Sequence, residues 1–320
     1  MAVNRDKPDR WKVDIAQSVD LYNDWFMHFA PQAFRDTRIQ TTQQVEDALA
    51  QTGNLQDLRP ELLAAHPTVL PILRMATCPP IARDRLIGLS KASPTLVRTM
   101  EGEGRLPRRM PEALIYAELE KVIRIIRTMI DPDIFIWLNR STPLLEEELH
   151  RAATVVADRL CGAVADPIIR NAQERRQLSL IASWLEQRGY RLLPPTERVT
   201  FNALLPGTFS FRLNVPVTLE GGVQQVNIPV DVAIMPKTAA LGDFPLFIEA
   251  KSAGDFTNVN KRRKEEAVKM AQLRSTYGSR VNFILFLCGY FDTGYLGYEA
   301  AEGIDWVWEH RIDDLALFGV

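Results

Sequence analysis

Cysteine is scarce in this chain of 320 residues. Its three cysteines, Cys78, Cys161 and Cys288, lie far apart, show no CxxC spacing and are odd in number. That argues against a disulfide framework or a thiolate zinc site, and for buried thiols in a reducing cytosol. There are four histidines (His28, His66, His150 and His310), and none stands beside a nucleophile motif, so serine or cysteine hydrolase chemistry is disfavoured. No apolar run reaches the length of a membrane span, and the opening residues, MAVNRDKPDRWKVD, hold no apolar leader. Neither an internal repeat nor a low-complexity tract is visible. Positive charge is not in excess either: 38 basic residues against 40 acidic give a net charge of −2. A nucleic-acid site must therefore come from local clustering of charge.

What is present is an ordinary globular composition, 46% hydrophobic and 24% charged, with length for one large domain or two smaller ones. Residues 1–165 read as helical. One helix is expected from Trp11 to Phe29 and a second from a capped start at Thr41–Glu46. Short helices follow, broken at Pro60, Pro67 and Pro71. The pair of short helices around Ile81–Leu89 and Pro94–Met100 carries Arg83, Arg85, Lys91 and Arg98. It reads either as a helix-turn-helix-like DNA reader or as a plain helical pair with solvated arginines. After Pro111, Ile115, Leu119, Val122, Ile126 and Met129 fall at helical spacing, and the helix is apolar enough to be buried in its own core or against a second subunit. A further helix starts at the acids Glu146–Glu148 and runs towards Gly162.

The rest of the chain, 166–320, alternates helix and strand. An amphipathic helix spans Ile168–Arg188 and ends at Gly189. Strands are expected over Val199–Leu204, Phe209–Val217, Val226–Met235 and Leu246–Ser252. A helix then runs to about Tyr277, and Val281–Gly289 (VNFILFLCG) reads as a fully buried strand. The stretch that organises this half is NIPVDVAIMPKTAALGDFPLFIEAKS. Asp231 interrupts one apolar strand, and Glu249 and Lys251 interrupt the next; 17 residues separate Asp231 from Glu249. Side chains alternate along a strand, so Glu249 and Lys251 share a face. If the two strands form an antiparallel hairpin, two carboxylates and an amine converge. Charged groups are rarely buried unless paired or metal-bound. One reading is a divalent-cation site; the other is a salt-bridged hairpin in which Lys251 neutralises an acid.

Asp, a spacer, then Glu-X-Lys resembles the catalytic signature of the PD-(D/E)XK nuclease superfamily, although Val230 stands where the motif has proline. The order helix, three to four strands, helix, strand is similar to the αβββαβ core of that superfamily. The expected fold is thus α+β: a helical region (1–165) for DNA recognition or dimerisation, then a catalytic domain (166–320) with a mixed sheet flanked by helices. Nucleases of this kind often carry one more acid on the helix beside the sheet. Glu174, four residues before Leu178 on the buried stripe, is the candidate, unless it simply reaches solvent. From Lys251 to Arg280 eight basic residues face three acids, a local balance of +5. Lys261, Arg262, Arg263, Lys264 and Lys269 in that run, with Arg83 and Arg85, are the expected DNA contacts, set against a solvated helix face.

Over most of its length the chain resembles the XamI family of type II restriction endonucleases, on CPPIARDRLIGLS, QERRQLSLIASWLEQRGY, DVAIMP and FIEAKSAGDFTNVNKRRKEEA. The resemblance implies a magnesium-dependent enzyme that cuts both strands of DNA at a short palindrome, leaving 5′-phosphates. A member of that family reads GTCGAC, and that site is carried over as the expectation. It implies magnesium held by Asp231, Glu249 and the Ala250 backbone carbonyl, with Lys251 acting either as base or through its charge. It also implies a homodimer in the bacterial cytoplasm, with a DNA methyltransferase as functional counterpart and not as a stable partner. A structure-specific or repair nuclease, and a DNA-binding protein without catalysis, are the competing classes.

Overall fold

The computed structural model describes the whole chain except residues 1, 163–164, 195–199, 220–223, 241 and 257–258, and the side chains of 165–166 and 259–263. The protein is α+β, with a helical N-terminal half and a six-stranded mixed sheet in the C-terminal half. Its chain divides into two compact units, residues 31–168, and residues 1–30 with 169–320.

The helical unit is built from α1 (Pro8–Gln51, its first turns lying in the other unit), α2 (Pro60–Ala65), α3 (Leu70–Met75), α4 (Arg83–Ser90), α5 (Pro94–Glu103), α6 (Glu112–Met129) and α7 (Glu146–Gly162). The expected break between two N-terminal helices does not occur, because α1 runs through Pro31. The proline ring sits on an exposed side, where the carbonyl it releases at Met27 can be hydrated, so the helix survives it. The stripe of α6 (Ile115, Leu119, Val122, Ile123 and Ile126) is fully buried within this unit's own core, against Leu63, Leu70, Leu86 and Val97 among others. That answers the question its sequence left open.

The sheet unit starts with α8 (Ala165–Gln187), closed by Gly189 at φ +74°. Then come β1 (Arg191–Leu192), β2 (Thr208–Thr218), β3 (Gln225–Met235), β4 (Leu246–Ala253), α9 (Val259–Tyr277), β5 (Asn282–Gly289), α10 (Thr293–Ala301) and β6 (Asp305–Trp308). The strands lie in sequence order across the sheet. β2, β3 and β4 are antiparallel neighbours, while β1–β2, β4–β5 and β5–β6 are parallel. The strand expected at 199–204 is absent where it can be seen: Phe201–Ala203 is a single 3-10 turn, and residue 199 lies outside the described residues. Phe201 nonetheless supplies an aromatic ring to the core, which is the signal that made the segment look like a strand.

Two apolar layers sandwich the sheet. α8 lays Leu178, Ile181, Trp184 and Leu185 on one face, over Val232, Ile234, Ile248, Ile284 and Phe286. On the other face Met270 and Leu273 of α9 and Leu296 of α10 cover Ala233, Phe247, Phe283, Leu285 and Leu287. β5 is therefore buried on both sides, as a strand without polar alternation must be. The C-terminal aromatics pack rather than project: Trp306 and Trp308 are fully buried, and Trp11 of α1 meets Trp306 edge-on at 5.5 Å. The Asp305 carboxylate accepts the backbone N–H groups of Val3, Asn4 and Arg5, which fastens the first residues to this unit. No described helix is long and apolar enough to cross a membrane.

Candidate active site

The hairpin of β3 and β4 is closed at one end and open at the other. Its paired residues are Val232 with Ile248, Ala233 with Phe247 and Ile234 with Leu246. The next step in the same register would set Asp231 opposite Glu249, and there the ladder stops. β4 instead keeps its pairing with β5 along its full length, Leu246 with Asn282 to Ala253 with Gly289. The gap is bridged by a side chain: Asp231 Oδ2 accepts the Ala250 N–H at 2.8 Å.

β2 shows a matching break. Its register with β3 is unbroken from Thr208–Met235 to Thr218–Gln225 except at Arg212, opposite Asp231, which is left out of the ladder. Arg212 has φ +53°, a left-handed backbone that residues with side chains rarely adopt. Both strands change phase there. Val232 and Ile234 face the α8 layer, but Val230, two residues earlier, faces the α9 layer. Likewise Phe209 packs in the α8 layer and Val215 in the α9 layer. Strict alternation would hold Asp231 opposed to both its neighbours; in fact Asp231 sits at the crossover.

Glu249 and Lys251 share a face, as alternation along β4 requires. Their ion pair is 3.0 Å, with Glu249 only 7% exposed. α9 supplies two further charges. Lys269 Nζ lies 2.7 Å from the other Glu249 oxygen, and Glu266, 1% exposed, lies 3.2 Å from Lys251 Nζ. The result is a chain of alternating charge, Lys269–Glu249–Lys251–Glu266. Among the described residues no cation lies within ion-pair distance of Asp231, so three acids share two ammonium groups.

The electrostatics follow from that count. Burial, then the charge of Glu249, pushes the Asp231 carboxyl up to about 6. Burial also raises Glu266. Burial opposes the charge on Lys251, but Glu249 and Glu266 outweigh it and hold the ammonium above the ordinary lysine range. A carboxylate short of positive charge, facing a second one, has the hard oxygen donors that a divalent cation takes. Among the described residues no three His, Cys, Asp or Glu side chains form a ready ligand cluster. The Asp231–Glu249 pair therefore fits an ion that draws its remaining ligands from backbone and water.

Asp231, Glu249 and Lys251, with Glu265 of α9, line a cavity of about 260 Å³. Its opposite wall is α8, which contributes Arg170, Glu174 and Gln177. Glu174 reaches the cavity, but its carboxylate lies 2.6 Å from the Arg212 guanidinium. Gln177 Nε2 donates to the backbone carbonyls of Lys251 and Phe286 at 3.4 Å each, and Ser252 Oγ donates to Gln173 at 2.8 Å. α8 thus holds β4 by its backbone.

Of the expected DNA contacts, Lys264 is exposed on α9, and the side chains of Lys261, Arg262 and Arg263 lie outside the described residues. Lys269 is turned to Glu249 and the Pro229 carbonyl. Arg83 and Arg85 are exposed on α4, in the helical unit, with Arg83 3.8 Å from Asp84. Three residues in or next to the cavity wall went unnoticed in the sequence: Arg170 in the wall, Glu266 beside Lys251, and Arg212 beside Glu174. Glu266 had a signal. It precedes the buried Met270 and Leu273 by four and seven residues, on the same helical stripe, so it could not lie on the solvated face of α9. Arg212 had none, since nothing in TFSFRLNVPVT marks a left-handed residue.

Comparison with known proteins gives the family. The sequence profile of the XamI restriction endonucleases matches residues 53–308. Type II restriction enzyme SalI of Streptomyces albus G is 55% identical over 317 residues, covering 99% of each chain. No solved structure matches. The family match takes in the whole carboxylate–lysine cluster and most of the helical unit, and the full-length relative extends it to the ends: the chain belongs to the XamI restriction endonuclease family.

Proposed function

We propose that this type II restriction endonuclease cuts both strands of DNA within GTCGAC, using magnesium, at the cavity between β3, β4, α8 and α9. The class of activity, site-specific cleavage of DNA, follows from the family and from the full-length match. The observation that carries the assignment of the site is Asp231 set opposite Glu249 where the hairpin opens, with Lys251 on the same face as Glu249. Acid, acid and lysine on two adjacent strands, backed by a helix on each face, support the PD-(D/E)XK nuclease reading.

Asp231, Glu249 and the Ala250 carbonyl would hold magnesium. The ion, when bound, supplies Lewis-acid stabilisation of the charge that builds on the phosphate and on the leaving oxygen. Lys251, clamped as an ammonium between Glu249 and Glu266, is suited to neutralise the phosphate and orient the attacking water rather than to accept a proton. Glu249 and Glu266 keep that ammonium aimed while the substrate enters. The water oxygen bonds to phosphorus and gives up its proton to bulk solvent, the bond to the 3′ oxygen breaks, and that oxygen takes a proton from solvent. The products are a 5′-phosphate and a 3′-hydroxyl. Glu174 serves at the rim of the cavity. Exposed Lys264, Arg83 and Arg85, with Lys261, Arg262 and Arg263, supply contacts to the DNA backbone and edges.

A palindrome has two-fold symmetry, so two copies of the chain, each cutting one strand, are the assembly that fits it. The helical region serves recognition, pairing or both. A bacterial cytoplasmic enzyme, with a methyltransferase that protects the host's own sites, is the setting this activity requires. The test is digestion of a long DNA of known sequence by the purified protein, with magnesium and with EDTA, beside Lys251→Ala. Discrete fragments ending within GTCGAC, lost in EDTA and in the variant, are expected. A smear or ladder would remove site-specific cleavage, and discrete ends at another sequence would remove GTCGAC alone.

A further inference from the structure

Among the described residues with a side chain and a positive φ, Arg212 is the one inside a β-strand; Asn54, Leu55 and Lys91 follow helix ends, where a left-handed residue is ordinary. Glycine meets such a backbone without strain. β2 instead carries its longest cation there, at the point where both strands change phase and opposite Asp231. Non-glycine residues held in sparse backbone regions concentrate at ligand clamps and active sites.

The side chain points the same way. Arg212 is 64% exposed, and its guanidinium is held 2.6 Å from Glu174, which lines the cavity with Asp231, Glu249 and Lys251. Arg170, one turn before Glu174 on α8, lines the same cavity. A guanidinium has five donors in a planar fork; Glu174 engages one edge and leaves the others for an anion with paired oxygens. A carboxylate already met by a guanidinium is poorly placed to serve as a further metal ligand.

We propose that Arg212 grips a backbone phosphate of the DNA beside the scissile bond, and that Glu174 is the positioning residue that holds the guanidinium at the mouth of the cavity. This rests on the nuclease reading of that cavity. The left-handed turn at Arg212 does two things at once: it brings Asp231 to the opening of the hairpin, and it turns the arginine from the strand towards α8.

The test uses the full chain and a duplex carrying the sequence the enzyme is found to cut. Arg212→Gly suits the backbone and removes the guanidinium; Arg212→Lys keeps the charge. Duplex affinity is measured in EDTA across a salt series, and steady-state cleavage with magnesium. For Arg212→Gly the expected outcome is a melting temperature at or above wild type, with affinity and KM weakened roughly tenfold. The slope of log affinity against log salt should be shallower by about one. Arg212→Lys recovers most of the affinity, and Glu174→Gln falls between the two. A merely structural arginine would leave the salt slope and KM of the glycine variant unchanged, and that result overturns the proposal. Should the glycine variant fail to fold, Arg212→Gln, which also removes the charge, carries the same test: a wild-type KM and salt slope overturn the proposal. Asp231→Ala is run alongside. If it is inactive while the Arg212 variants behave as wild type, only the phosphate grip falls; if it still cleaves, the nuclease reading of the cavity falls with it.

Discussion

The two ends of the β3–β4 hairpin are made from neighbouring residues of the same strands, and they do opposite work. At the closed end Val232, Ala233 and Ile234 pair with Ile248, Phe247 and Leu246, and all six side chains are at most 1% exposed. Backbone polarity is met by the ladder, and the side chains bury apolar surface on both faces. One residue further the ladder ends, and a carboxylate takes over the task of meeting the Ala250 N–H. Buried charge replaces buried hydrocarbon. Close packing keeps the two strands in register, and the register is what sets Asp231 opposite Glu249. On the proposed reading of the site, stability resides in one half and chemistry in the other.

The contrast can be broken most forcefully from the open end. Asp231→Ala, Glu249→Ala and Lys251→Ala should each lower cleavage by about a thousandfold or more, because the charge they supply matters chiefly as the phosphate reacts. Their circular dichroism should match wild type. Wild-type cleavage by any of the three would detach the chemistry from this end of the hairpin. From the closed end the effect should invert. Ile248→Ala removes a side chain packed against α8 and should destabilise the protein by roughly 2–5 kcal/mol, read by urea unfolding. Cleavage per folded molecule should fall far less than in the charge variants. A stable Ile248→Ala protein with no activity would show that the two halves are not separable.

A smaller effect sharpens the comparison through pH. In the metal-free protein the folded Asp231 carboxyl titrates at about 6, against an ordinary 3.8. The fold thus holds the proton more tightly than the unfolded chain does. The associated stability is complete below pH 3.8 and is lost as pH rises through about 6. Asp231→Asn cannot ionise and can still accept the Ala250 N–H. In EDTA it should therefore be more stable than wild type at pH 7.5, by about 1–3 kcal/mol, and indistinguishable from it near pH 3.5. A stability difference independent of pH would mean that the burial of Asp231 is not what limits the apo protein. Magnesium should narrow the gap at pH 7.5 by stabilising the wild type alone.

Much of this was legible because the signals are short-range. Apolar spacing gave α6, α8 and β5, and charge inside apolar strands gave Asp231, Glu249 and Lys251. What was hidden depended on contacts between distant elements. The helix expected to end at Phe29 runs on through Pro31, because the sequence does not say which side of a helix faces water. Phe201 looked like strand because an aromatic anchor in a turn and one in a strand are written alike. The run Lys261–Glu266 looked like a DNA-contacting face, set against a solvated one, because its charge outweighed its spacing, although Glu266 stands in line with Met270 and Leu273. The break at Arg212 could not be foreseen, since it is imposed by the strands on either side.

Glu266 is where that lesson has a measurable consequence. It is buried, yet its charge is met chiefly by Lys251, which Glu249 also holds. Removing Glu266 therefore leaves Lys251 paired but free to move about one carboxylate, so the loss should be partial where Lys251→Ala is complete. Glu266→Gln, which keeps size and drops charge, should lower kcat by roughly tenfold while leaving DNA affinity and the melting temperature near wild type. Glu266→Asp, charged but too short to hold 3.2 Å, should fall between the two. Equal cleavage by all three proteins would mean that Glu249 alone aims the ammonium, and that α9 contributes hydrocarbon to the sheet and nothing to the reaction.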